Sequence, residues 1–216
     1  MGIVKFLLAC LCMQFNAWGA HIEESIVKIE VLEGTEVIPY LKQLAELRIS
    51  FYRDYPYLYE GSLIEEEKYL SLYADSKNSL FVIAKEGEKM VGAITGLPLL
   101  ESQEENRIVF KHKQSIAEHI FHIGEFVLLP EYRNADIQKR LYRQFEKFVM
   151  ELTEYDGISL CEIERPSYDS FVESLWKDNG FIKQPGLSSY YRWKEVDALE
   201  DTDHLMIYWI KNLRGE

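Results

Sequence analysis

The chain has 216 residues, 47% of them apolar or aromatic, enough to bury one substantial core without demanding two. Its 36 acidic and 24 basic side chains give a formal net charge of −12. That balance disfavours a nucleic-acid partner, which needs a basic face, and is compatible with a cationic substrate.

Residues 1–20 pattern as a signal peptide or an N-terminal extension: Lys5 supplies a positive start, Phe6 to Met13 a short apolar core, and Ala17-Trp18-Gly19 a small-x-small cleavage pattern. The apolar core is too short to cross a bilayer, so no integral span is expected. Export after cleavage and cytoplasmic residence without it both stand. Residues 25–216 are expected to form a single domain.

Within that domain, residues 25–32 alternate as a strand. Thr35 and Glu36 open an apolar-periodic stretch through Leu41, Leu44, Ala45 and Arg48, with Pro39 in a first turn where a missing N–H is tolerated. Ser62 and Glu65 form a capping-box pattern that predicts a helix over 63–73. Residues 80–85 and 90–95 flank Glu86-Gly87-Glu88 as a hairpin, and 98–118 is polar and irregular. Residues 120–129 read as a central strand stopped by Pro130. A helix over 135–151 follows, its apolar face running through Ile137, Leu141, Phe145 and Phe148. A strand over 158–164, a helix over 168–179 ended by Gly180, and strands over 187–194 and 205–211 complete the chain. Hairpins in the first half and alternation in the second imply an α/β fold of the α+β type, a mixed sheet flanked by helices.

Two cysteines, Cys10 and Cys12, lie in the first apolar stretch, leaving Cys161 in an apolar run as a buried structural thiol. No disulfide framework or zinc spacing results. His119 and His122 are three apart and no acidic third ligand is fixed by spacing, so no metal site is expected. The helix that opens after Pro130 and Arg133 is different. Its free N–H groups and dipole form an anion site just past a buried strand, for which pyrophosphate is the fitting anion. The alternative is purely structural: Asn134 caps the helix, Asp136 complements the dipole, and nothing binds.

The order Gly124-Glu125-Phe126-Val127-Leu128-Leu129-Pro130-Glu131-Tyr132-Arg133, then a helix, then Leu175-Trp176-Lys177-Asp178-Asn179-Gly180-Phe181 resembles the GNAT superfamily of N-acetyltransferases. Arg53-Asp54-Tyr55-Pro56-Tyr57-Leu58-Tyr59-Glu60-Gly61, Val91-Gly92-Ala93 and Glu164-Arg165-Pro166 are similar to a bacterial subgroup of undefined substrate. The resemblance implies the acyl-CoA N-acyltransferase fold, a mostly antiparallel sheet of about seven strands splayed where the acyl group enters. It implies transfer of acetyl from acetyl-CoA, without a metal, to a primary amine on a small molecule or a protein. Backbone N–H groups of Phe126, Val127 and Leu128 would orient the pantetheine arm and polarise the thioester, and Arg133, Asn134, Ala135, Asp136, Ile137, Gln138 and Lys139 would contact the pyrophosphate. The superfamily's loop reads roughly Arg-x-x-Gly-x-Gly or Ala; here Arg133 matches, and the two small positions fall on Asp136 and Gln138.

Amine acetylation needs a neutral amine, and an ammonium of the lysine kind titrates near pH ~10.4, so a base is required. The resemblance assigns that role to Glu125, whose proton affinity desolvation would raise; the alternative is a glutamate turned outward at a bulge. Trp176 occupies the place where relatives commonly have a tyrosine that protonates the leaving thiolate. An indole N–H donates a hydrogen bond and no proton, which leaves hydrogen-bond assistance, a hydroxyl such as Tyr168, or a purely core role for Trp176. Tyr55, Tyr57 and Tyr59 border the acceptor site in this reading, or simply pack on the sheet. The competing function is a GNAT-fold protein that has lost catalysis and acts as a binding or interaction module, possible also for an exported chain.

Overall fold

The computed structural model describes residues 27–165 and 171–214, which include a seven-stranded sheet with helices on both faces. The first strand, β1 (Lys28–Glu33), runs into a 3-10 turn, Gly34–Tyr40, that contains Pro39, and then into α1 (Leu41–Tyr52). The helix therefore starts later than the periodicity suggests, because Pro39 cannot donate to an α-helical ladder. Ser62 Oγ accepts from Glu65 N at 3.3 Å and opens α2 (Leu63–Asp75). The hairpin of β2 (Leu80–Glu86) and β3 (Lys89–Pro98) turns at Gly87, whose φ is +59°.

The irregular stretch holds two short helices, α3 (Glu104–Val109) and α4 (Gln114–Ala117), anchored by burial of Leu99, Phe110 and Ala117 against Ile120 and Tyr208. Elements this short complete too few turns for a helical period to show. Then follow β4 (Ile120–Leu128), α5 (Ala135–Glu151), β5 (Gly157–Ile163), α6 (Phe171–Asp178), β6 (Ile182–Lys194) and β7 (Asp201–Asn212). The last two strands are longer than expected. β6 is an exposed edge whose register shifts between Lys183 and Ser188, around Pro185 and Gly186, and this breaks its alternation.

Strand order is β1-β2-β3-β4-β5-β7-β6, with β4 and β5 the parallel pair. One core cluster packs α5 and α6 on one face of the sheet, through Leu141, Phe145, Val149 and Trp176. The other packs α1 and α2 on the opposite face, through Leu44, Leu47, Leu70 and Tyr73. No described helix is long and apolar enough to cross a membrane. Residues 1–20, and with them the signal-like pattern, lie outside the described residues.

Two departures from a regular sheet position the site. β4 and β5 pair only at Ile120↔Gly157, Phe121↔Ile158 and His122↔Ser159, then part. On the other side of β4, Thr95 faces Glu125 while Gly96 faces Ile123, so Gly124 is the extra residue of a bulge. Glycine is required there because a Cβ would stand 2.1 Å from Tyr73 Oη.

Candidate active site

Beyond His122 the β5-facing edge of β4 has no strand partner among the described residues. The amides of Glu125 and Leu129 point toward β3, to Thr95 Oγ1 at 3.2 Å and Val91 O at 2.9 Å. Strand alternation therefore turns the amides of Phe126 and Leu128 into the gap and that of Val127 away from it. The gap is a narrow cleft of about 50 Å³ lined by Ile123, Gly124 and Phe126 of β4, Leu160, Cys161 and Glu162 of β5, and Trp176. A second cavity of about 210 Å³ meets it at Tyr52, Tyr57, Gly124 and Cys161, which line both.

Glu125 is buried behind this junction. Its Oε1 accepts from Arg48 Nη1 and from Tyr69 Oη at 2.5 Å; its Oε2 accepts from Thr95 Oγ1 and from Tyr73 Oη at 2.5 Å. It points inward despite the bulge and is no outward-turned side chain. Arg48 also binds Glu66 through Nε at 2.5 Å and lies over the rings of Tyr69 and Tyr52 at 4.2 and 5.1 Å. Burial opposes the Arg48 charge, yet the carboxylates of Glu125 and Glu66 hold its pKa well above the ordinary value. Burial, reinforced by Glu125, likewise pushes the hydroxyls of Tyr69 and Tyr73 well up, so both remain O–H donors.

The larger cavity is walled by rings. Tyr52, Tyr57, Tyr59, Tyr69, Tyr191 and Trp193 line it, together with Arg48, Glu66, Asn106 and His122. Of the three tyrosines expected at an acceptor site, Tyr57 and Tyr59 are here, whereas Tyr55 is 55% exposed and is not among the lining residues. His122 bonds Ser159 Oγ at 2.9 Å through Nδ1, and burial lowers its pKa to about 3, so it is neutral. Cys161, its pKa pushed by burial to about 12, donates toward Asn106 Oδ1 at 3.7 Å and is an inert thiol.

At the start of α5, Asn134 Oδ1 caps the Ile137 amide at 3.0 Å, and Gln138 N bonds Asn134 O at 3.2 Å. The amides of Ala135 and Asp136 are those left without intrahelical partners. Asp136 is 78% exposed and pairs with Arg140 at 3.5 Å, while Gln138 is buried and Lys139 exposed. Arg133 is held against the protein: Nε donates to Leu128 O at 3.1 Å, its guanidinium reaches Asp54 at 3.3 Å, and it covers the Phe51 ring at 4.7 Å. Trp176 is buried, packs on Phe126 at 5.3 Å, and donates Nε1–H to Glu162 at 3.0 Å. Tyr168 lies outside the described residues.

Arg48, Glu66, Tyr69 and Tyr73 escape a search for motifs, although a signal exists. Leu44, Ala45 and Arg48 in α1, and Glu66, Leu70 and Tyr73 in α2, share buried helical stripes, so each carries a charge on a core-facing row. A charged residue there must be paired. Among the described residues, no group of three or more His, Cys, Asp or Glu could hold a metal.

Residues 41–181 match the acetyltransferase (GNAT) family. No curated protein matches the chain in sequence. Among solved structures, the chain is similar to the PaiA N-acetyltransferase of Thermoplasma acidophilum in complex with coenzyme A, at 19% identity and a TM-score of 0.53, covering 86% of this chain and 99% of that one. It is similar to Arabidopsis thaliana NAA60 in complex with acetyl-CoA, at 12% identity and a TM-score of 0.59 over 88% and 100% of the two chains. The ribosomal-protein-S18-alanine N-acetyltransferase of Escherichia coli gives 11% identity and a TM-score of 0.56 over 88% and 96%. At these identities the structural likeness speaks for the fold, and the family match covers well over half of the sequence: the chain belongs to the GNAT acetyltransferase family.

Proposed function

We propose that the chain transfers an acetyl group from acetyl-CoA to a primary amine by direct attack. The observation that carries this reading is the meeting, at Gly124, of a cleft between parted strands and a ring-walled cavity. One substrate in each would come together there. Acetyl-CoA supplies the activated acetyl group. The gap-facing amides of Phe126 and Leu128 orient its pantetheine arm and polarise the thioester carbonyl, and the free amides of Ala135 and Asp136 receive the pyrophosphate. Asp136, turned toward Arg140, leaves those amides open.

Glu125 lies behind the cavity wall, so in this reading it takes the amine's proton through Tyr69, which lines the cavity and whose hydroxyl bonds the carboxylate. Trp176 shapes the cleft, its N–H engaged by Glu162. Tyr52, which lines both cavities and whose hydroxyl burial keeps protonated, supplies an O–H for the departing sulfur.

Thermal shift and calorimetry with acetyl-CoA test the proposal, followed by thiol release in the presence of amines. Ligand at about a hundred times its dissociation constant should stabilise the fold by ~2.7 kcal/mol. No stabilisation at millimolar acetyl-CoA would overturn the transfer reading and favour a binding module that has kept only the fold.

A further inference from the structure

The cavity beyond the cleft has walls specific enough to name its occupant. Its volume of about 210 Å³ equals about seven water molecules at ~30 Å³ each, and is smaller than a pocket for a drug-sized ligand. Among the described residues its charge is dominated by a cluster of Arg48, Glu66 and, behind the wall, Glu125. Arg48 is a single cation bonded to two carboxylates, Glu66 and Glu125, and the set is net negative by one. The other lining cation, Arg192, is bonded to Asp203 at 3.1 Å. Arg48 covers the Tyr52 and Tyr69 rings, and the rings of Tyr57, Tyr59, Tyr191 and Trp193 complete the lining, which attracts an organic cation.

One wall is also sealed by main-chain bonds. The segment between α1 and α2 is zipped to the hairpin of β6 and β7: Tyr59 bridges Glu195, Glu60 N donates to Lys194 O at 2.9 Å, and Val196 N donates to Leu58 O at 2.6 Å. Lys194 Nζ pairs with Glu60 at 2.7 Å, and Trp193 Nε1 donates to Tyr57 O at 3.1 Å. A polypeptide laid between these two segments would have to break this ladder. A small molecule entering the cavity breaks none of it.

We infer that the acceptor is a small free primary amine, cationic and without a carboxylate, caged by the rings beside Glu66; this rests on the acetyl-transfer reading above. The ammonium releases one proton, its nitrogen forms the bond to the acetyl carbon, the thioester C–S bond breaks with its electron pair on sulfur, and the nitrogen's second proton passes to that sulfur. The products are the acetamide, coenzyme A as its thiol and one released proton. With both arginines already paired, a carboxylate on the same molecule would meet the net negative Arg48–Glu66–Glu125 cluster, which separates simple amines from amino acids of the same skeleton.

The test uses matched pairs: 2-phenylethylamine against phenylalanine, 1,4-diaminobutane against ornithine, and a ten-residue peptide with a free amino terminus and one lysine. Binding to the full chain is read by calorimetry and thermal shift without acetyl-CoA, and transfer by product mass with it. At least one amine should bind tenfold or more tightly than its carboxylated partner, and the peptide should be neither bound nor acetylated. Glu66→Gln should weaken amine binding at least tenfold and erase the discrimination. If that variant fails to fold, Tyr59→Leu, which lines the cavity and not the cleft, should weaken amine binding while leaving acetyl-CoA binding unchanged. Acetyl-CoA binding with acetylation of the peptide, or equal affinity within both pairs, would overturn the inference and leave the transfer reading standing. Amine binding without any acetyl-CoA binding would support the cage and overturn the transfer reading.

Discussion

Replacing Arg48 by methionine isolates the energetics of the buried charge cluster. The side chains of Arg48, Glu66 and Glu125 are 13%, 1% and 0% exposed, so Arg48→Met keeps most of the volume and strands two carboxylates in the core. Removing one partner from a buried ion pair costs roughly 3–5 kcal/mol. Loss of the guanidinium over the Tyr52 and Tyr69 rings adds about 0.5–1 kcal/mol for each contact. The expected loss of about 4–7 kcal/mol is a large part of the ~5–15 kcal/mol that a domain has. Urea unfolding at unchanged m-value reads it directly. Adding Glu125→Gln to Arg48→Met removes one stranded charge and should recover about 2 kcal/mol, a coupling measured by the double-mutant cycle. A loss below about 1 kcal/mol, or additivity of the two changes, would refute the view that these groups are one ion cluster.

Three other perturbations test separate parts of the site. Gly124→Ala places a methyl 2.1 Å from Tyr73 Oη and should cost about 1–3 kcal/mol in urea unfolding, part of which Tyr73→Phe restores; no loss would mean that the bulge is not tightly packed. His122 is lowered to about 3, below the ordinary 6.5 expected of the unfolded chain, so the unfolded state takes the proton first. Its contribution to stability is complete above about pH 6.5 and is lost as pH falls toward 3, at up to ~1.4 kcal/mol per pH unit. His122→Gln should flatten that slope between pH 4 and 6.5 in matched urea titrations, and identical slopes would refute it. For Asp136→Gly, a carboxylate about 5 Å from a phosphate in near-aqueous surroundings opposes binding by at most about 0.8 kcal/mol, part of it offset by Arg140, so acetyl-CoA should bind more tightly by up to about fourfold at low salt. Unchanged affinity by calorimetry would place that charge away from the phosphates.

Legibility in the sequence followed the range of the interaction responsible. α5 is recovered to the residue because everything that makes it is local: the Asn134 cap, and a stripe from Ile137 through Leu141 and Phe145 to Val149. α2 opens where Ser62 predicts, for the same local reason, and runs two residues past the expected end. β6 is blurred because an edge strand with a register shift has no strict alternation to read. The site is the extreme case. Glu125 is conspicuous as a lone acid in an apolar strand, but Arg48, Tyr69 and Tyr73 are 77, 56 and 52 residues away from it in the chain. No spacing rule joins them, and only the requirement that a core-facing charge be paired points to Arg48 and Glu66.

The same distinction explains Trp176. Family position suggests a proton donor, but its surroundings give it a mechanical task that an indole suits. The ring packs against Phe126 of β4 while its N–H holds Glu162 of β5, so one side chain touches both strands where they part. Tyr142 and Phe181 hold the ring from behind at 5.8 and 5.3 Å. A smaller phenol there would leave a void in a packed cluster, with a cost set by how far the walls can collapse, and the walls here are the two strands. The width of the cleft and the packing of the α6 face are therefore coupled through a single residue. Across β4, the Gly124 bulge and the Glu125 cluster fix the other margin of the gap, so the opening is set by a ring on one face and an ion network on the other.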